Sequence, residues 1–237
     1  YISVSISDKP ADEDHNYGYG KVENLSAFLE SILLFVTSIW IIYEAVVRLL
    51  SGSVLVEITI WSYIVVIVSM IIDFSRSRKL LKEARRHNSQ ALEADAIHFS
   101  TDILSSACVL LGLIFANFGY HKADSIAAIG VALIILHIAY GMSKKAVDVL
   151  LDKVPDGVTE KVETILKKNY NIIKYHDLKI RAAGANTFIK VNVHFLPELD
   201  LLTTHKLCDN IEEEIMKNIP NSDVTVHAEP DEEIASS

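Results

Sequence analysis

Over most of its length the chain alternates long apolar stretches with short polar interruptions, and after Asp152 the rhythm changes. The apolar stretches run about Leu25–Leu50, Val56–Phe74, Ala94–Phe118 and Ile126–Met142. A helix crossing a bilayer needs roughly 20 such residues, so each is predicted to be a span. Residues 1–21 precede them as a polar loop punctuated by Pro10, Gly18 and Gly20. Ser51-Gly52-Ser53 joins the first span to the second, and Asn117 to Lys122 joins the third to the fourth. Between the second and third lies a helical, strongly basic stretch, Arg76 to His87, with Arg76, Arg78, Lys79, Lys82, Arg85 and Arg86. The positive-inside rule places it in the cytoplasm, and an even number of spans puts the N-terminal loop and the C-terminal part on that side too.

Beyond Asp152-Lys153-Val154-Pro155 the apolar period shortens. Val158 to Asn169 has helical spacing. Asp177 to Arg181 and Thr187 to His194 alternate as strands, with Gly184 in the turn between them. Leu201 to Ile219 is helical again up to Pro220, and Asp223 to His227 is a short β-branched strand. The order αββαβ predicts helices packed on one face of a sheet. The expected fold class is therefore an all-α membrane bundle over residues 1–154, followed by a cytoplasmic α+β domain over 155–230. The acidic tail, 231–237, is expected to be disordered.

Composition narrows the function. Half of the 237 residues are hydrophobic and the net charge is −9, which argues against nucleic acid as a partner. Cys108 and Cys208 are too few and too scattered for a disulfide framework or a Cys-rich zinc site. Both are expected to be small buried residues. The chain begins at Tyr1 with no signal-peptide pattern, and reads as a piece of something longer.

The chemistry concentrates in the third span. His98 and Asp102 are four residues apart, so they share one helical face a turn apart. Ionisable groups at that depth pair, bind ions or line an aqueous path. An imidazole and a carboxylate together make half of a tetrahedral zinc site, or else a hydrogen-bonded packing pair. Asp95, on nearly the same face, either guides cations or caps the helix. Asp73 closes the second span, as a relay or as an interfacial carboxylate paired with Arg76 or Arg78. Glu44 and Arg48 are expected to pair, Glu30 is deeper and unexplained, and His137 reads as a satisfied buried histidine. Asp12, Asp14 and His15 in the N-terminal loop are a weak metal signal. In the C-terminal domain His176, His194, His205, His227 and Glu229 suggest metal binding, and His227 and Glu229 bracket one residue so that both can point at one ion.

These segments resemble the cation diffusion facilitators, membrane exporters of zinc and related divalent metals. The resemblance is carried by Lys9-Pro-Ala-Asp-Glu-Asp-His15, Tyr17-Gly-Tyr-Gly-Lys-Val-Glu23, Glu93-Ala-Asp-Ala-Ile-His-Phe-Ser-Thr-Asp102 and the αββαβ domain. It implies six membrane helices, of which the four spans here correspond to the third through sixth. Residues 1–7 resemble the tail of the second, and the family's first helices are expected upstream of Tyr1. It also implies that His98 and Asp102 form one half of a transport site whose other half is two carboxylates on the second helix. At the loop site Asp12 and His15 match the family's ligands, but Tyr19 stands where a second histidine is usual. In the cytoplasmic domain His176, His205 and His227 match, Asn192 replaces a usual histidine, Glu229 replaces a usual aspartate, and His194 is a substitute on the same strand face.

The resemblance further implies a homodimeric metal/proton antiporter rather than an enzyme, with no residue given a catalytic role. Its partners would be membrane lipid, protons and divalent ions; the compact loops suggest a prokaryotic cell membrane as its setting. Mixed histidine and carboxylate ligation suits zinc, both transported and regulatory, with iron(II), cobalt, cadmium or manganese as alternatives. A non-transporting membrane-anchored metal sensor or scaffold remains as a second reading, and a structural assembly subunit as a third.

Overall fold

In a computed structural model, which describes residues 2–7, 9–51, 60–87, 89–117 and 121–231, the apolar stretches are long helices. The order is α1 (Ile2–Ser7), α2 (Lys21–Ser51), α3 (Ile60–His87), α4 (Gln90–Asn117) and α5 (His121–Leu150). Among the described residues three segments are long and apolar enough to cross a membrane, Lys21–Ser51, Gln90–Gly112 and Ser125–Leu150. The predicted second span, Val56–Phe74, begins at residues 56–59, which lie outside the described residues. From Ile60 it is helical and runs without a break into the basic stretch, so that Arg76 to His87 is the end of α3 rather than a separate element.

Small residues let these helices approach one another, as is usual where lipid offers no hydrophobic contrast. Ala27 of α2, Ala94 of α4 and Ala146 of α5 form one buried cluster, and Leu34, Ile135 and Ala139 form the next. Ser31 and Ser38 are fully buried and return their hydroxyls to the carbonyls of Phe28 and Leu34. Helices α3 and α4 are tied by Ser77, whose Oγ lies 3.0 Å from the Ala96 carbonyl and 2.8 Å from Ser100 Oγ. Large apolar side chains such as Leu33, Trp40, Val65 and Ile71 stay exposed, a surface suited to lipid. His137 lies on an exposed face of α5, opposite Ile135 and Ala139, and is not the buried histidine expected from the sequence.

The chain divides into two units, Tyr1–Val147 and Asp148–Ser237. The second contains α6 (Val158–Lys168), β1 (Lys174–Ala183), β2 (Asn186–Phe195), α7 (Leu201–Asn218) and β3 (Ser222–Pro230), the predicted αββαβ order. The sheet order is β1-β2-β3, with β2 antiparallel to β1 and parallel to β3. Strand alternation sends Ile189, Val191, Val193 and Phe195 inward against Val162, Ile165 and Leu166 of α6 and Ile211 and Ile215 of α7. Each such side chain contributes about 1.5–3 kcal/mol by leaving water. The opposite face of the sheet carries the polar side chains of the strands, and among the described residues the core cluster does not extend to it.

The strands are longer than the sequence suggests. β1 starts at Lys174, and a register shift between His176 and Lys179, with Asp177 at φ 55°, breaks the alternation that would have revealed it. Asp231, which the sequence assigns to the tail, is held by the domain. Asp231 is 2 % exposed, its backbone N–H bonds the Phe195 carbonyl at 3.0 Å, and its carboxylate lies 3.3 Å from Lys174 Nζ. Residues 232–237 lie outside the described residues.

Candidate functional site

Three groups of polar side chains bear on the candidate chemistry. The first is on α4. Ser89 caps this helix, its Oγ accepting from the Leu92 N–H, so the cap is not Asp95. His98 Nε2 faces Asp102 Oδ2 at 3.5 Å, as the spacing requires. From α2, Glu30 brings Oε1 to 3.9 Å from His98 Nδ1, a neighbour that spacing along α4 does not reveal. Asp95 meets Glu30 from one turn earlier, and Asp73 of α3 is within electrostatic reach of Asp102. Asp73 accepts from Ser69 Oγ at 3.2 Å. Arg76 and Arg78, its expected partners, instead lie over the rings of Phe99 and Phe74. Glu44 and Arg48 are paired.

The second group is the N-terminal loop. Asp12 Oδ1 accepts from the backbone N–H groups of Asp14 and His15 at 3.1 and 2.7 Å, a local turn that holds the carboxylate in place. Tyr19 donates its hydroxyl to Asp12 Oδ2 at 2.7 Å. The His15 ring stacks on Tyr19 with centroids 4.2 Å apart, and its Nδ1 is 3.5 Å from Asp12 Oδ1. The Tyr19 hydroxyl and the His15 amide hold the Asp12 carboxyl below its usual range, and the bond to Asp12 holds the Tyr19 phenol above its own. A phenol that keeps its proton is a poor metal ligand, so Tyr19 adds no donor to Asp12 and His15.

The third group lies on the face of the sheet opposite the core. Register aligns His176, Asn192 and His227 across the three strands, and Lys174, His194 and Glu229 beside them. His194 Nε2 is 3.2 Å from His176 Nδ1 and 3.2 Å from Glu229 Oε2. Among the described residues, His176, His194 and Glu229 are the group whose donor atoms converge within 4.8 Å. Asn192 donates to Glu229 Oε1 at 2.8 Å and orients that carboxylate, while His227 Nε2 is 3.8 Å from the same oxygen. His205 is on exposed α7 with Asp209 at 3.6 Å, outside the cluster. Two imidazoles and a carboxylate suit a borderline divalent ion such as zinc.

Comparison with known proteins follows the same division. The cation efflux transmembrane domain family matches residues 1–151, and the cytoplasmic domain family of cation efflux proteins matches residues 154–231. The chain belongs to the cation diffusion facilitator family. It is 30% identical over 232 residues to the cation-efflux pump FieF of Shigella boydii serotype 18 and of Escherichia coli K12, covering 97% of this chain and 76% of each relative. Among solved structures it is similar to the metal-bound C-terminal domain of the CzcD transporter from Thermotoga maritima (26% identity, 31% of this chain and 86% of that one, TM-score 0.30). It is also similar to the cytosolic domain of a cation diffusion facilitator family protein (25% identity, 30% and 87%, TM-score 0.29). As a cation diffusion facilitator the chain is a membrane protein of divalent cation efflux with a cytoplasmic C-terminal domain.

Proposed function

We propose that this cation diffusion facilitator exports zinc in exchange for protons, as a homodimer in a prokaryotic cell membrane. The observation that carries the reading is the His98–Asp102 pair on an apolar helix, an imidazole and a carboxylate 3.5 Å apart. Metal ligands of this kind bind in their deprotonated forms, so arrival of the ion on the cytoplasmic side releases protons and its departure on the other side lets them return. The nitrogen donor favours zinc over the harder manganese, with cobalt, iron(II) and cadmium as further candidate cargoes.

In the cytoplasmic domain, His176, His194 and Glu229 are assigned as ligands of a regulatory ion, with His227 beside them and Asn192 holding the carboxylate. His205 is assigned to a separate contact. Asp12 and His15 are assigned at most a weak loop site, because Tyr19 occupies the third position. Uptake of zinc by inside-out membrane vesicles tests the assignment. Uptake that disappears in His98→Ala supports it, and undiminished uptake in that variant contradicts it.

A second reading, a metal sensor or scaffold that does not transport, draws on the convergence of three donors in the cytoplasmic domain. It differs in one outcome: His98→Ala would leave every metal-dependent property intact, whereas His176→Ala would remove them.

A further inference from the structure

His98 Nδ1 is a buried atom without a hydrogen-bond partner among the described residues. Such an atom calls for an explanation, since a buried polar group left unmet loses its hydration without recovering a hydrogen bond. Glu30 Oε1 lies 3.9 Å from it, while the other ring nitrogen, Nε2, faces Asp102. The two carboxylates therefore address opposite edges of one imidazole. They do not form a three-donor cage, for donor atoms converge that closely, among the described residues, in the cytoplasmic domain.

We propose that Glu30 is the positioning residue of His98. With the cation bound, the Glu30 carboxylate closes the 3.9 Å gap to accept the Nδ1–H, which fixes the tautomer and leaves the Nε2 lone pair directed at the side where Asp102 and the cation meet. A carboxylate behind a histidine commonly sets ring orientation and raises ligand basicity in metal sites. This inference rests on the transport-site reading of His98 and Asp102 given above.

The surrounding helices are arranged for it. Glu30 lies one turn after Ala27 and one turn before Leu34, the buried face of α2 that packs toward α4 and α5. Ala27 and Ala94 keep the two helices close at this level. Ser31, the adjacent polar residue, gives its hydroxyl to the Phe28 carbonyl at 2.6 Å and does not compete for the ring. Thr101 does the same with the His98 carbonyl at 2.7 Å, so its hydroxyl is not given to the ring either.

The test is zinc affinity of the full-length protein in lipid nanodiscs, read by competition with a chelating dye. It is made in a background with His176→Ala and His194→Ala, so that the cytoplasmic cluster does not contribute. Glu30→Ala is expected to weaken binding by about 10–100-fold. Glu30→Gln keeps an acceptor oxygen and is expected to restore most of the affinity. In a His98→Asp background Glu30→Ala is expected to cost nothing further, because an aspartate has no second ring nitrogen to orient. Unchanged affinity in Glu30→Ala overturns the proposal. So does an equal loss in the His98 and His98→Asp backgrounds, which would mark Glu30 as packing alone. If His98→Ala itself leaves zinc affinity unchanged, the transport-site reading fails first and the role of Glu30 falls with it.

Discussion

The hydroxyl of Tyr19 donates to Asp12 Oδ2 at 2.7 Å, so a phenol occupies the oxygen that would face a third ligand of the loop. With histidine at 19 the loop would offer two imidazoles and a carboxylate; with tyrosine it is a closed hydrogen-bonded turn. Tyr19→His is expected to add one zinc equivalent per chain in equilibrium dialysis. No added equivalent would contradict this account of the loop.

The same bond predicts a flat pH response over the physiological range. Asp12 is lowered from its ordinary 3.8, so what its ionised form contributes is complete above that value and is lost as pH falls through the depressed one. Tyr19 is raised from its ordinary 10.0, so its contribution is complete below that value and is lost as pH climbs through the elevated one. Ultraviolet titration of tyrosinate is expected to place Tyr19 above 10.0 in the wild type and lower in Asp12→Ala. A Tyr19 that titrates identically in both would show that the bond is not formed in solution.

His98→Asp should move cargo preference from zinc toward manganese, because it replaces the nitrogen donor with a hard oxygen. Competition between the two metals in vesicle uptake reads this directly. An unchanged preference would remove His98 from the selectivity of the site.

On the sheet, His194→Ala and His176→Ala should each weaken zinc binding by the cytoplasmic domain more than about tenfold, since even groups behind the ligands are worth that much. His205→Ala should have little effect on the same site, because its imidazole is beside Asp209 on α7. Calorimetry on the full chain with His98→Ala isolates this domain's contribution. Equal losses for His194 and His205 would contradict the assigned cluster.

Ile215 is fully buried between α7 and the sheet. Ile215→Ala is expected to destabilise the cytoplasmic domain by about 2–5 kcal/mol, the usual cost of truncating a core side chain where a cavity remains. Urea unfolding followed by far-ultraviolet circular dichroism measures it. A shift well below that range would mean that α7 relaxes into the gap.

Particular residues show what the sequence made legible. Alternation in β2 exposes both its inward apolar row and the outward pair Asn192 and His194, which is why His194 could be noticed beside a replaced ligand. The i, i+4 spacing pairs His98 with Asp102 before any coordinates. Glu30 stood out only as a deep, unexplained carboxylate, since its role depends on how α2 packs against α4 through Ala27 and Ala94. Nothing in periodicity reports that contact. Within one chain His205 is not brought to the cluster, because neither strand register nor helix phase carries it there and α7 presents it to solvent beside Asp209. His137 sits on the exposed side of α5, and composition alone does not distinguish the lipid-facing side of an apolar helix from its buried one.

The central claim, exchange of zinc for protons through His98 and Asp102, is tested most directly in proteoliposomes holding the full-length protein. Zinc uptake and internal pH are followed together under an imposed pH gradient, with Asp102→Ala alongside. The account predicts zinc flux that rises with the gradient, an opposite proton flux, and loss of both in the variant. Zinc flux that ignores the gradient, or that persists in Asp102→Ala, would contradict it.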